Sequence, residues 1–383
     1  MEKLDILLEF LEENVDLNHI REVERIHLDT IEYKEVDYLP LSVIFPIDER
    51  FTPFPYVETF DDPEKMLFNE LLWSFSSIYN SVQLKDHFPF HIRSNHGVGI
   101  LASLFDANWK IIDNNMPWVD HLEIKKIKAL ITKGVPNFYR GIGKKVIETY
   151  KYFNDKLKEY PKCFQAIHIS QPDLQGPFDI AHLLIGKDIF YKVYDEPEIL
   201  HELLEIITET YINFRKFIDS LLTDQAGKRA VYVHGCIYGG KVVVKDDTAV
   251  INLSSEMYDE FSKPYNEKIL EAFGGGSLHY CGEQRQWHFE SLNSKWLKGI
   301  NYGNPEMHNL KTLYKYWGKN NVPILWWGYN QNYGFIDEVY RLKISTGITL
   351  ATKAESFTQA KKILESHIER RMFHNLKRKA AAS

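Results

Sequence analysis

The chain has 383 residues, of which 44% are hydrophobic, 14% aromatic and 26% charged. That composition supplies one large or two ordinary cores and excludes disorder, collagen-like repeats and a disulfide scaffold. Its 53 acids and 46 bases leave a net charge of −7 with no basic face, so neither nucleic acid nor an anionic membrane surface is expected as a partner.

The start, MEKLDILLEFLEEN, is acidic and helical where a signal peptide would be basic and then apolar, and no apolar run approaches ~20 residues. Three cysteines, Cys163, Cys236 and Cys281, are an odd count that suits a reducing compartment. A cytoplasmic protein is expected. No Gly/Ser- or Pro-rich linker divides the sequence, so residues 1–383 are read as one domain with 1–40 as a helical N-terminal extension. Long helical stretches are expected at Met1–Arg25 and Asp62–Tyr79, outside the sheet or across its bottom.

From Leu41 onward, short β-branched or aromatic runs alternate with helix-like stretches. The runs are Leu41–Phe45, Phe88–Ser94, Phe164–Ser170, Ala230–Cys236, Ser277–Cys281, Leu297–Gly303, Pro323–Tyr329 and Gly347–Lys353. Alternation of strand and helix calls for a parallel sheet, and eight such units is the number of a (β/α)8 TIM barrel, an α/β fold. An open doubly wound sheet is the alternative. Against it, Gly97-Val98-Gly99 lacks the third glycine of a dinucleotide fingerprint, and Gly274-Gly275-Gly276 precedes a strand.

In a parallel barrel the active site forms at the C-terminal strand ends. Strand two offers Arg93, Asn95 and His96; strand three His168, Gln171 and Asp173; strand four His234 and Cys236. Strands five to eight offer His279, Cys281 and Glu283, then Asn301 and Asn304, then Tyr329 and Asn330, then Lys353 and Glu355. Arg93, His168, His234, His279 and Asn330 are expected to share one mouth. His279-Tyr280-Cys281 is the sharpest local signal, because residues two apart on a strand face the same way and an imidazole with a thiolate suits zinc. The bland reading is a hydrogen-bonded core histidine and a small buried thiol. His234-Gly235-Cys236 repeats the spacing on what reads as the preceding strand.

Asp246-Asp247 is either a catalytic carboxylate pair or the turn after a short β-excursion from Lys241 to Lys245. Trp326-Trp327 reads as core or pocket wall. The helix Pro197–Leu222, apolar at Leu200, Leu203, Leu204, Ile207 and Tyr211, reads as part of an outer ring.

The order of motifs resembles the uroporphyrinogen decarboxylase superfamily, a group of (β/α)8 barrels that includes cobalamin-linked methyltransferases. The resemblance runs from about Phe88. It rests on Gly176-Pro177-Phe178-Asp179-Ile180-Ala181, Leu184-Ile185-Gly186, Tyr194-Asp195-Glu196-Pro197-Glu198, Asp246-Asp247, Leu253-Ser254-Ser255-Glu256-Met257-Tyr258, Lys263-Pro264-Tyr265 and His279-Tyr280-Cys281-Gly282. True decarboxylases hold their many carboxylates with an N-terminal arginine-rich segment; here Asp37–Pro46 contains no arginine, which argues against a porphyrinogen substrate.

The methyltransferase branch binds zinc through His-x-Cys plus a cysteine near strand eight. Around Thr346–Ser356 this chain has Lys353 and Glu355 and no cysteine. The resemblance therefore implies zinc on His279 and Cys281, with Cys236 standing in for the missing cysteine and Glu283 as another candidate. Catalytic or orienting roles are expected for His234, Asp246, Asp247 and Glu283, the Asp246-Asp247 pair being placed near the mouth by the resemblance, and substrate contacts are expected from the strand-end residues Arg93, Asn95, His168, Gln171, Asn301, Tyr329 and Asn330. No D-x-H-x-x-G corrinoid signature occurs, so cobalamin would arrive on a separate corrinoid protein. Methyl transfer between a small-molecule substrate and that corrinoid or a thiol is the expected activity. The alternative is a metal-free decarboxylase or lyase acting on a smaller acid. A homodimer is compatible with either.

Overall fold

A computed structural model describes residues 3–73, 76–222, 231–283 and 288–382 of the chain. It opens with two helices, α1 (Lys3–Asn14) and α2 (Leu17–Ile31). Leu4, Leu7, Leu8 and Leu11 repeat at helical spacing and form the buried face of α1. Asp16 caps α2 by accepting from the backbone N–H groups of Asn18 and His19.

Among the described residues twelve strands follow. They are β1 (Leu41–Ile44), β2 (His91–Ile92), β3 (Trp109–Lys110), β4 (Trp118–Val119), β5 (His168–Ile169), β6 (Val231–Val233), β7 (Cys236–Tyr238), β8 (Val243–Lys245), β9 (Gly276–Tyr280), β10 (Leu297–Tyr302), β11 (Ile324–Trp327) and β12 (Ile348–Lys353). A six-stranded parallel sheet runs in the order β1-β12-β11-β10-β9-β8, so the first strand of the chain lies beside the last. β2 and β5 form a separate parallel pair. Helices connect the parallel strands, as that topology requires.

Two seams flank the β2–β5 pair, and side chains bridge both. At one, the Leu41 N–H donates to His87 Nδ1 (3.1 Å) and the Val43 N–H to Asp86 Oδ2 (2.7 Å). At the other, the Gln171 amide donates to the Val243 carbonyl (2.9 Å) and accepts from the Val243 N–H (3.0 Å). A short bridge between Gln175 and Lys245 completes it. This mixed α/β architecture with a parallel central sheet is compatible with the barrel expected from the sequence; its backbone ladder is interrupted at these two seams.

The sheet's two faces differ. Leu41, Val43, Val244, Leu278, Tyr280, Ile300 and Tyr302 point out into the main core with the helices. Alternate residues point the other way, where Ile44, Val243, Leu325, Trp326 and Ala351 pack against the β6–β7 hairpin in a second core. Seven of the eight expected runs contain a strand of the six-stranded sheet or of the β2–β5 pair. The fourth is a correction. Ala230 lies outside the described residues, and Val231–Cys236 is no single strand: His234 (φ 51°) and Gly235 (φ 80°) form a two-residue turn, with Val233 paired to Cys236 across an antiparallel hairpin. The fourth parallel strand is instead β8, the run read as an excursion. Among the described residues no helix is long and apolar enough to cross a membrane.

Candidate metal centre

Strand period two carries His279 and Asn301 to the inner face, and Cys281 follows directly on β9. Asn301 sets the chemistry of the histidine. Its Nδ2 donates to the Leu325 carbonyl (2.7 Å), which leaves its Oδ1 as the acceptor facing His279 Nδ1 (2.5 Å). His279 is therefore the Nδ1–H tautomer, and its Nε2 lone pair faces Cys281 Sγ at 3.6 Å. Burial pulls the His279 pKa down, so the ring is neutral, as a ligand must be.

Asp247 comes from the end of β8, where it opens the helix Asp247–Asn252. Its Oδ1 accepts the Cys281 N–H at 2.5 Å. One ligating atom each from Asp247, His279 and Cys281 lies within 4.8 Å of the others. Oxygen, nitrogen and sulfur donors in one cluster fit a zinc ion, and three protein ligands leave a coordination position for substrate. Cys281 is the exposed member of the three. Partial desolvation and then the Asp247 charge push the Cys281 thiol up to about 12; a divalent cation between the donors would reverse that pressure.

A buried ionic network adjoins the cluster. Asp173 accepts from Lys245 (2.6 Å) and from Arg93 (3.2 Å). Burial alone would raise the Asp173 carboxyl, but the two cations outweigh it and hold the group well below the ordinary range. Lys245 also donates to His234 Nε2 (2.8 Å), so His234 carries its proton on Nδ1 and donates to the Tyr238 hydroxyl (2.8 Å). The His234 and His279 rings lie 4.3 Å apart.

Of the residues expected from the sequence, Asp247, His279 and Cys281 converge, with His234 and Arg93 in the adjoining network. Asn95 lies at its edge, 3.4 Å from an Arg93 nitrogen, and Tyr329 stacks on Trp326. Others lie elsewhere. Cys236 is fully buried in the hairpin and directs its sulfur to the Val233 carbonyl, because the His234-Gly235 turn removes it from any strand beside β9. His168 begins β5 rather than ending it, bonds to Glu24 of α2 (2.8 Å) and stacks on Tyr232, so its partners are not those of His279. Gln171 is occupied with the Val243 backbone, and Asn301 holds His279. Asp246 is buried beneath the cluster, bonded to Ser262 and Asn266. Glu283 and Asn330 are exposed and do not join the cluster. Of the network residues, Asp173 is among the strand-end residues of the sequence reading but without an assigned role, and Lys245 is not among them. A lysine closing the apolar run Val242-Val243-Val244 was the available signal.

No protein-family model matches the chain, and no curated protein is similar to it in sequence. Among solved structures it is similar to a methyltransferase from Methanosarcina mazei, with a TM-score of 0.63 over 91% of this chain and 98% of that one, at 14% sequence identity. At that identity the likeness is one of fold: the chain has the architecture of this methyltransferase along almost its whole length.

Proposed function

We propose that the chain is a zinc-dependent methyltransferase on a (β/α)8-type scaffold, moving a methyl group between a small molecule and either a corrinoid on a partner protein or a thiol. The observation that carries this reading is the convergence of Asp247, His279 and Cys281 with the His279 Nε2 lone pair turned toward the sulfur. The fold likeness to a methyltransferase and the sequence resemblance support it.

When bound, zinc supplies Lewis acidity that favours a substrate thiolate or polarises a methyl donor. The protein's own part is positional. Burial keeps the imidazole neutral and Asn301 keeps it aimed, Asp247 and Cys281 supply an oxygen and a sulfur on the exposed side, and the Arg93–Asp173–Lys245–His234 network forms a fixed polar wall that needs no rearrangement to meet substrate. Residues 1–383 are taken as one catalytic unit, with α1 and α2 as its N-terminal extension.

Elemental analysis of the purified protein, paired with an assay for loss of the methyl group from methylcobalamin in the presence of a small thiol, tests the reading. Near-stoichiometric zinc in the wild type, lost together with demethylation in Cys281→Ser, is the expected result. Equally low zinc in both proteins would remove the metal and the mechanism with it.

A further inference from the structure

The segment Gly176-Pro177-Phe178-Asp179 has no part in the site described so far. It opens the helix Pro177–Ile185, which begins against the end of β8. The Gly176 N–H donates to the Lys245 carbonyl, and a side chain on Gly176 would meet that oxygen at 2.9 Å and Val244 Cγ1 at 3.2 Å, so only glycine permits the approach. Pro177 occupies the first helical position, where no N–H is needed. Asp179, in the same first turn, is thereby delivered to the start of the neighbouring helix Asp247–Asn252.

That helix lacks a cap of its own. Asp246 holds the capping position, but its side chain makes no bond to the helix; it is buried and turned toward Ser262 Oγ (2.9 Å) and Asn266 Nδ2 (2.7 Å). The Thr248 N–H, which a capping side chain would ordinarily satisfy, donates instead to Asp179 Oδ1 at 2.6 Å. Asp179 is itself buried. We propose that Asp179 is a positioning residue: from an adjacent helix it caps the turn that carries Asp247, and so holds the oxygen donor of the metal centre against Cys281 and His279. The inference rests on the metal reading above. It assigns Asp179 no contact with metal or substrate.

Zinc affinity, measured by chelator competition on the full chain, and the sulfur-to-metal absorption band of the cobalt(II)-loaded protein test it in wild type, Asp179→Ala, Asp179→Asn and Asp247→Asn. Asp179→Ala should weaken zinc binding about 10- to 100-fold, the usual effect of losing a group that supports a ligand, and should alter the cobalt band. Asp179→Asn keeps an acceptor for the Thr248 N–H and should restore both. In the Asp247→Asn background, Asp179→Ala should cost nothing further, because the residue acts through Asp247. If Asp179→Ala does not fold, Asp179→Glu, which displaces the acceptor by one methylene, replaces it with the same expectation.

Zinc bound by wild type and lost in Asp247→Asn but retained by Asp179→Ala would overturn the inference alone. So would equal weakening by Asp179→Ala and Asp179→Asn, or losses that add in the double variant. A wild type that binds no zinc would overturn the metal reading itself.

Discussion

Asn301 commits both ends of its amide to protein groups, and in doing so decides which nitrogen of His279 is available. Asn301→Leu should therefore leave the imidazole free to turn, weakening zinc binding about 10- to 100-fold with little loss of secondary structure; unchanged affinity in that variant would show that the ring needs no such support. A different group of histidines governs acid stability. His27, His91 and His96 are buried, and burial lowers each to about 4. Each therefore contributes stability that is fully present above its unfolded value near 6.5 and is lost as the pH falls through about 4. Asp86, raised by burial to about 6, acts in the opposite sense, favouring the fold below about 4 and losing that contribution as the pH rises through 6. Buried histidines shifted down, with His87, His234 and His279 added to these three, outnumber the buried carboxyls shifted up, Asp86, Asp179 and Asp246, so the thermal midpoint should fall as the pH drops from 6.5 to 4. His27→Leu, though it leaves the His87 carbonyl without its 2.8 Å partner, should flatten that slope. A midpoint that rises on acidification would contradict the assignment.

At the scale of elements, the two side-chain seams should be the weak lines of the sheet. Gln171→Ala strips the Val243 N–H of its partner in a buried setting, a loss worth about 1–3 kcal/mol in denaturant unfolding; Tyr211 still donates to the Val243 carbonyl (2.8 Å), which limits the damage. Native-state hydrogen exchange should find the Leu41, Val43 and Val243 amides, bonded to side chains, less protected than the ladder amides of β9. Equal protection throughout would mean that the seams are as firm as the ladder.

The same elements show what the sequence made legible. Seven runs were readable because apolar outward residues alternate with inward ones, and that alternation also paired His279 with Cys281. The fourth failed for a local reason. Two-residue hairpin turns are usually announced by Asn-Gly or Asp-Gly, and His234-Gly235 is a weaker form of that signal, so Val231–Cys236 read as one strand and put Cys236 beside β9. β8 reads as an excursion and not as a strand of the sheet because its last residue is a lysine, an inward charge that Asp173, far off in sequence, neutralises. Asp247 was legible as a useful carboxylate at a strand end, but its approach to Cys281 depends on a contact across 34 residues. Asn301 and Gln171 looked like substrate contacts because an amide at a strand end gives no sign of whether its partner is a ligand or a backbone.

For the whole molecule, 14% identity across 91% of the chain is what a shared architecture with divergent side chains looks like. The turn of the β6–β7 hairpin packs closely against β11. A Cβ on Gly235 would lie 2.3 Å from the Trp326 ring, which is itself stacked on Tyr329 at 4.3 Å, and Gly235 has φ +80°. Gly235→Ala should therefore lower stability by about 1–3 kcal/mol, through overpacking and backbone strain together. A neutral thermal shift would mean that the ring pair gives way freely.

That hairpin also bears on the order in which the protein can form. Val231, Val233, Cys236 and Tyr238 are covered by residues of β1, β8, β11 and β12, and most of that cover is synthesised after the hairpin itself. Pairing of β1 with β12 joins residues some 300 apart, a long-range closure that slows folding. On a ribosome the hairpin must therefore wait, apolar and uncovered, until the chain has been made through Lys353. During that interval Cys236 is open to any thiol reagent; once β12 has docked, its sulfur is reached only by undoing the fold.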